Sequence, residues 1–569
     1  MNLLDKAALL AHIARWRLSW DRRDTAFLPP ESLPGKFKSA RAAVDMIPDG
    51  ACVISSGFAG NARCSIFFWA LRERFEQTGN PNGLTWISVG GQGGRGRVPG
   101  SVEEVGLDGL VTRYIAGHTE TTKSMLQLAD AGRLELHTLP QGEMTFILEA
   151  QGRGENEVRS HTGMGTFLDP RVGRGSPVTP GATMQFARAD GDSIVYSMPS
   201  VDVALINAPY ADSQGNIYFQ NASTISENVE AARAARHNGG LVLVSVSRLI
   251  DHDEASIGLA MDAVDVVVIN PRSEQSGSVA QRRYWPMFTA GANVDEQAAI
   301  ARLRFINRAL GITPRRGPLE HALARLGAKT FIEQVGPGAT INVGVGLAEE
   351  VCNVLYASRV CEQITFTTES GPYGGLPAAG IFFGSAINPK RLESSAWMFH
   401  HYQDHLDATM LGFLQLDSTG NINLSNRGPS VLDYVGPGGA PSIIESAKTV
   451  LFIGKWMQGA EVSIQGGELR LDKPGKPKLV EQVNEITFNG SVGLASGKKI
   501  FYVTDLAVLE LTADGLTLRA VMPGINIERD LLANCGARIH VPDDPRPETV
   551  AAAVVTGEDF HIDWAENAQ

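Results

Sequence analysis

The sequence predicts an α/β protein made of two homologous, open α/β domains in one chain, and three observations carry that prediction. At 569 residues the chain exceeds what one hydrophobic core holds, so two to four domains are expected. From about Lys36, short β-branched apolar stretches alternate with helix-like stretches, the pattern of a largely parallel sheet. Three segments then recur in the same order. Asp49-Gly-Ala-Cys-Val-Ile-Ser-Ser-Gly57 matches Pro337-Gly-Ala-Thr-Ile-Asn-Val-Gly-Val345, Asp212-Ser-Gln-Gly-Asn-Ile217 matches Asp417-Ser-Thr-Gly-Asn-Ile422, and the stretch from Asn238 to Val246 matches that from Ala447 to Gly454. One match is at the level of chance. Three in order point to duplication, with about 80 extra residues in the first copy.

The elements follow in order. Residues 1–35 read as an N-terminal extension, where Leu3, Ala7, Leu10, Ala11 and Ala14 recur at helical spacing as the apolar face of a helix before Pro29, Pro30 and Pro34 break the chain. The first domain is expected over 36–294: a helix from Ser39 to Met46, a turn at Asp49-Gly50, a strand from Ala51 to Ser55, a helix from Ser65 to Phe75 and a strand from Leu84 to Val89. Gly91-Gln-Gly93-Gly-Arg-Gly96 fits GxGxxG, but Arg97-Val-Pro99-Gly100 starts a helix poorly and no acidic residue closes a second strand downstream. It is therefore expected as a ligand-facing or structural loop rather than a dinucleotide site. A linker with helices is expected over 295–325, a second domain over 326–545 and a C-terminal tail over 546–569.

Composition narrows the class of partner. Fifty basic against 62 acidic residues give a net charge of −12, which disfavours nucleic acid and anionic membrane, so an anionic ligand needs local basic groups or helix N-termini. Five cysteines lie far apart with no CxxC pair, which suits small core side chains in a reducing compartment rather than a zinc or dithiol site. No apolar run approaches the ~20 residues of a membrane span, and charges interrupt the first residues where a signal peptide would be apolar. A cytoplasmic protein is the expectation.

The stretch with most chemical content is Ile364-Thr-Phe-Thr-Thr-Glu369-Ser-Gly-Pro-Tyr-Gly-Gly375. A short buried strand runs into one carboxylate and then breaks at Gly371, Pro372, Gly374 and Gly375. A carboxylate at the carboxyl end of a strand, beside glycines that let a backbone come close, stands where open α/β sheets bind ligands. The other reading of Glu369 is a cap on the following turn.

These residues resemble the family I coenzyme A transferases, in the single-chain branch that contains propionate/acetate CoA-transferases. Thr-Thr-Glu369-Ser-Gly-Pro-Tyr-Gly-Gly-Leu-Pro is similar to that branch's catalytic (T/V)E(S/A)GxxGGxP segment. The likeness continues in Phe383-Gly-Ser-Ala-Ile-Asn-Pro389, Tyr434-Val-Gly-Pro-Gly-Gly-Ala440 and Met522-Pro-Gly-Ile-Asn-Ile-Glu-Arg-Asp530, and in the first half in Ser56-Gly-Phe-Ala-Gly-Asn61, Leu139-Pro-Gln-Gly142 and Gly163-Met-Gly-Thr-Phe-Leu-Asp-Pro-Arg171. It covers about residues 36–545. The chain departs from the family's Gly-x-Gly-x-Pro turn at Gly344-Val-Gly346-Leu-Ala348, which lacks the proline.

The resemblance implies the CoA-transferase (NagB/RpiA-like) fold in each half and a reaction that moves CoA from a short-chain acyl-CoA to a free carboxylic acid. It implies Glu369 as covalent nucleophile, with Asn61 and the Gly438-Gly439-Ala440 turn as oxyanion donors and Gln141 and Asn342 as contacts to CoA or carboxylate. Gly344, Gly346, Gly374 and Gly375 are expected to line the CoA site. The coenzyme is a substrate; no permanent cofactor and no metal is implied, and relatives are commonly dimers or tetramers. An acyl-CoA hydrolase on the same fold and a non-catalytic CoA or ligand sensor are the alternatives.

Other features carry weaker readings. His401 and His405 in Phe399-His400-His401-Tyr-Gln-Asp404-His405 lie one helical turn apart, but without HExxH they read as a solvated or hydrogen-bonded helix face. Glu103-Glu104 and Glu349-Glu350 read as solvated charge pairs. No GxSxG elbow presents a serine nucleophile.

Overall fold

The structure, a computed structural model, describes residues 1–19, 22–94, 98–272 and 285–564. In the first half β1 (Cys52–Ser55), β2 (Leu84–Ser88), β3 (Val111–Ala116), β4 (Glu135–Thr138), β5 (Val203–Ala211), β6 (Leu241–Leu249) and β7 (Val266–Ile269) form one sheet in the order β7-β6-β5-β1-β2-β3-β4. Every neighbouring pair is parallel. Residues alternate between two cores: Val53, Trp86 and Leu205 pack on one face, and Ile54, Ile87 and Ile206 on the other. Both faces are thus covered, which is why all nine residues of β5 are buried and the strand lacks polar alternation.

The second half repeats this plan. β8 (Thr340–Val343), β9 (Thr365–Thr367), β10 (Ala408–Gly412), β11 (Thr449–Gly454) and β12 (Lys499–Thr504) lie in the order β9-β8-β10-β11-β12, all parallel. That is the order β2-β1-β5-β6-β7 of the first half, so the duplication read from three segments is one of topology. Antiparallel β13 (Ala507–Thr512) and β14 (Gly515–Val521) extend the second sheet.

The helices that matter below are α1 (Leu3–Ser19), α2 (Ser65–Thr78), α3 (Gln141–Gln151), α4 (Glu296–Leu310), α5 (Pro318–Gln334), α6 (Leu347–Ala357), α7 (Ser395–His405) and α8 (Ala440–Ser446). In the stretch expected as a linker, Asp295 caps α4 by accepting from Ala298 N–H at 2.9 Å. The N-terminal helix forms as expected but on a different face. Leu9, Ile13 and Trp16 are buried, whereas Leu3 and Leu10 are 81% and 49% exposed. The helix lies on α4 and presents His12 edge-on to Trp285, and these neighbours select the face that propensity alone cannot. Of the segment expected as a C-terminal tail, Glu548–Thr549 pairs with β14 and the helix Ala552–Thr556 rests on α5, where Arg325 donates to the carbonyls of Val554 and Val555 at 2.7 Å each.

The repeated Asp-Ser-x-Gly-Asn-Ile segment has a physical cause. Asp212 Oδ1 accepts from the backbone N–H groups of Gln214, Gly215 and Asn216 at 2.9, 2.9 and 3.0 Å, and Asp417 Oδ1 does the same for Thr419 and Asn421 at 3.0 and 3.1 Å. Each aspartate closes a tight turn after a central strand. Asp212→Ala leaves these donors without their acceptor, and urea unfolding is expected to show a loss of about 3 kcal/mol. A change under about 0.5 kcal/mol would mean the turn forms without it.

Candidate active site

β8 and β9 end side by side at the carboxyl edge of the second sheet, and the chain leaves β8 for opposite sides through β9 and β10, a topological switch point. Glu369 follows β9 there. Its side chain is 8% exposed and lines a cavity of about 1630 Å³ walled by both halves. Phe58, Gly60, Arg63, His118 and Gln141 come from the first half, and Asn342, Gly344, Gly346, Gly438 and Gly439 from the second.

Asn342, within β8, donates from Nδ2 to Glu369 Oε2 at 3.1 Å and to Tyr402 Oη on α7 at 3.2 Å. Both N–H bonds of one amide are thereby directed. Burial pushes the Glu369 carboxyl above its ordinary range, against the pull of its own backbone N–H and of Asn342. Burial, and next the Glu369 charge, push the Tyr402 phenol up as well, so it stays protonated. The carboxylate is desolvated and has no cation beside it in this network, which raises its reactivity as a nucleophile.

The glycine turn is built across the two halves. Gly438 donates its N–H to Gly117 carbonyl at 2.8 Å and accepts from Gln141 N–H at 3.1 Å, while Thr119 N–H donates to Val435 carbonyl at 2.8 Å. Gly439 then opens α8, and its N–H has no acceptor among the described residues. Gln141 is the first residue of α3, nearly buried, and lines the cavity. Gly344 donates to Met410 carbonyl at 2.8 Å, and Gly346, at φ 102°, caps α6. The helix starts at Leu347 from this glycine at positive φ, with Ala348 where the family has proline.

Two sets of expected residues lie elsewhere. Asn61 is fully buried outside the cavity wall; its Nδ2 donates to Phe383 carbonyl at 2.8 Å and its Oδ1 accepts from Ser385 at 3.1 Å. It ties the first half to the loop behind Glu369. Gly374 and Gly375 form a turn at φ 73° and 76° outside the cavity lining, and a Cβ on Gly375 would stand 2.3 Å from Ile387 carbonyl oxygen.

The charge-pair expectation is corrected. Glu103 accepts from Ser124 N–H at 2.9 Å, and Glu104 from Trp69 Nε1 at 3.2 Å and Gly100 N–H at 3.1 Å, so both, half-buried, fasten backbone and side chains as well as meeting water. Glu350 meets Arg316 at 3.2 Å, and Glu349 is half-buried in the cavity wall with its Oε1 shielded from water. The sequence carries a signal for Glu349: it is the third helical residue after Gly346, where a glutamate reaches back to the cap. His401, half-buried, stacks on Trp397 at 4.8 Å between ring centroids and meets Tyr373 edge-on at 5.4 Å, with Arg391 over both of these rings, while His405 is exposed and His400 bonds Glu149 at 2.9 Å, as expected of a solvated or hydrogen-bonded face. In the glycine-rich loop, Gly91, Gly93 and Gly94 line the cavity, and Arg95 to Arg97 lie outside the described residues. Arg304, Arg308, Arg316 and His321, which the motifs do not mark, also line it.

The sequence profile of the coenzyme A transferase family matches residues 37–258. Caffeate CoA-transferase of Acetobacterium woodii is 31% identical over 509 residues, covering 87% of this chain and 93% of that protein. Acetate CoA-transferase YdiF of Escherichia coli (strain K12) is 28% identical over 507 residues, covering 87% and 90%. A solved structure of acyl-CoA transferase YdiF from Escherichia coli O157:H7, a thioester complex with CoA, superposes with a TM-score of 0.80 at 25% identity, covering 93% of this chain and 98% of that one.

The geometry predicts how Glu369 titrates. Asn342 hydrogen-bonds the ionised form, so Asn342→Ala is expected to move its titration further up, read from the carboxyl C=O stretch in difference infrared spectra across pH. An unmoved or lowered titration would show that Asn342 does not act on the carboxylate.

Proposed function

The chain belongs to the coenzyme A transferase family, and on that premise we propose that it moves CoA from a short-chain acyl-CoA to a free carboxylic acid by a ping-pong reaction through a thioester on Glu369. The observation that carries the reading is a buried carboxylate, 3.1 Å from Asn342, facing a cavity shared by the two halves. The Glu369 carboxylate attacks the thioester carbonyl, giving a mixed anhydride and CoA thiolate. The thiolate attacks the glutamyl carbonyl, forming glutamyl-CoA and releasing the donor acid as its carboxylate. The acceptor carboxylate then attacks glutamyl-CoA, and the same two steps in reverse deliver the new acyl-CoA and restore Glu369.

Each requirement has a candidate group. Anhydrides hydrolyse, and Glu369 is shielded from bulk water. Tetrahedral intermediates need fixed N–H donors, a role suited to Gly439 at the start of α8; Gly438 and Gln141 hold that turn against the first half, and Asn61 braces the loop behind Glu369. Gly344 and Gly346 shape the wall beside Asn342, and Gly374 and Gly375 set the turn that follows the nucleophile. Arg304, Arg308 and Arg316 give an acidic chain a local basic lining for the phosphates of CoA. The coenzyme is the substrate and the chemistry needs no other cofactor. Relatives named as caffeate and acetate CoA-transferases favour transfer over hydrolysis.

A cytoplasmic site of action is supported by five free thiols. Among the described residues no helix is long and apolar enough to cross a membrane. A homo-oligomer is supported by the outward Leu3, Leu4, Leu10 and Leu18 of α1.

Glu369→Gln is expected to lower CoA transfer by more than ~10³-fold with CoA still bound. In the wild-type protein, borohydride is expected to inactivate only after acyl-CoA is added, leaving a mass change on the peptide that contains Glu369. Turnover that survives the substitution, or inactivation independent of acyl-CoA, would remove the covalent mechanism.

A further inference from the structure

Glu349 is a cavity-wall group that the reaction above leaves unused. The backbone N–H groups of Gly346, at the start of α6, and of Gly380, in the loop beyond β9, favour its charged form. Oε1 is left buried with no hydrogen-bond partner among the described residues. A buried oxygen without a partner is costly and calls for an explanation. Burial, with the Glu350 charge adding to it and Arg316 opposing, pushes this carboxyl up to about 7. As a carboxylate, or as the carbonyl oxygen of the neutral acid, Oε1 accepts hydrogen bonds.

The position of Glu349 along the wall indicates which donor it awaits. From Asn342, bonded to Glu369, the chain passes through Gly344 and Gly346 to Glu349. One helical turn later Asn353 accepts from Arg304 at 3.0 Å, and the neighbouring Glu350 pairs with Arg316 at 3.2 Å. Glu349 thus stands in the chain between the nucleophile and the arginines. A CoA ester with its reacting carbon at Glu369 and its phosphates at the arginines lays along this wall its uncharged arm, whose only N–H groups are two secondary amides. We propose that Glu349 Oε1 accepts a hydrogen bond from an amide N–H of the pantetheine arm of CoA. The assignment rests on the CoA-transfer reading and makes Glu349 a binding residue for the arm as well as a cap for α6.

Calorimetric titration of the intact protein with CoA, and with 3′-phospho-ADP as the same nucleotide without the arm, separates the two roles. Glu349→Leu is expected to weaken CoA about tenfold and leave 3′-phospho-ADP unchanged. Glu349→Gln, whose amide keeps a carbonyl oxygen, should bind CoA within about threefold of the wild type. A loss shared equally by both ligands, or no loss for either, overturns the proposal in favour of capping alone. If the leucine variant does not fold, Glu349→Asp withdraws the carboxyl by one methylene and is held to the same split. A split without thioester formation at Glu369 would sink the transfer reading and leave this site standing, whereas a wild-type protein that binds no CoA sinks both.

Discussion

The architecture depends on keeping one carboxylate away from water without neutralising it. A buried carboxyl drifts toward the protonated acid, which is no nucleophile, whereas a guanidinium beside it would hold it ionised but quench its reactivity. The structure sets a neutral amide against it: Asn342 at 3.1 Å, with Tyr402 as the second acceptor of the same amide. Two parallel strands ending together bring Glu369 and Asn342, 27 residues apart in the chain, to one point.

Shielding that point requires both halves, which are joined by backbone hydrogen bonds and by ion pairs such as Arg174 with Glu485 at 3.0 Å. The turn at Gly438 is gripped between the Gly117 carbonyl and the Gln141 N–H. Phe58 packs on Phe383 at 5.7 Å between centroids, and Asn61 reaches the carbonyl of Phe383. Behind the nucleophile, Ser226 N–H donates to Ser370 carbonyl at 2.9 Å, and neighbouring Glu227, whose carboxyl burial pushes up to about 8, accepts from Gly57 N–H at 3.3 Å. The backbone hydrogen bonds among these fix distance and direction. The cations that line the cavity include Arg63 of the first half as well as the arginines of α4 and the segment after it.

The two copies have diverged in use. Each has the same strand order and the same aspartate-closed turn, yet only the second carries a carboxylate after the strand beside its central one. In the first copy the corresponding strand, β2, leads into the glycine-rich loop whose Gly91, Gly93 and Gly94 line the cavity, and the extra β3 and β4 extend that side of the sheet. A duplicated scaffold thus supplies a reacting edge from one half and a covering edge from the other.

The sequence by itself determined the duplicated α/β plan, the strand-to-glycine break after Glu369 and most element boundaries, because these are local: apolar runs, turn aspartates and glycines act within a few residues of themselves. It did not determine which residues with the right chemistry reach the cavity. Asn61 and Asn342 are both amides in matched copies, but one braces a loop and the other contacts the nucleophile. The first helix turned a different face inward because α4 lay beneath it, and Glu349 went from an expected solvated charge to a half-buried wall group with one shielded oxygen. Each of these outcomes depends on what packs opposite a side chain, 27 residues away for Asn342 and Glu369 and 322 for Asn61 and Phe383. That choice is made in the packing within each half and between the halves, and only the tertiary structure decided it.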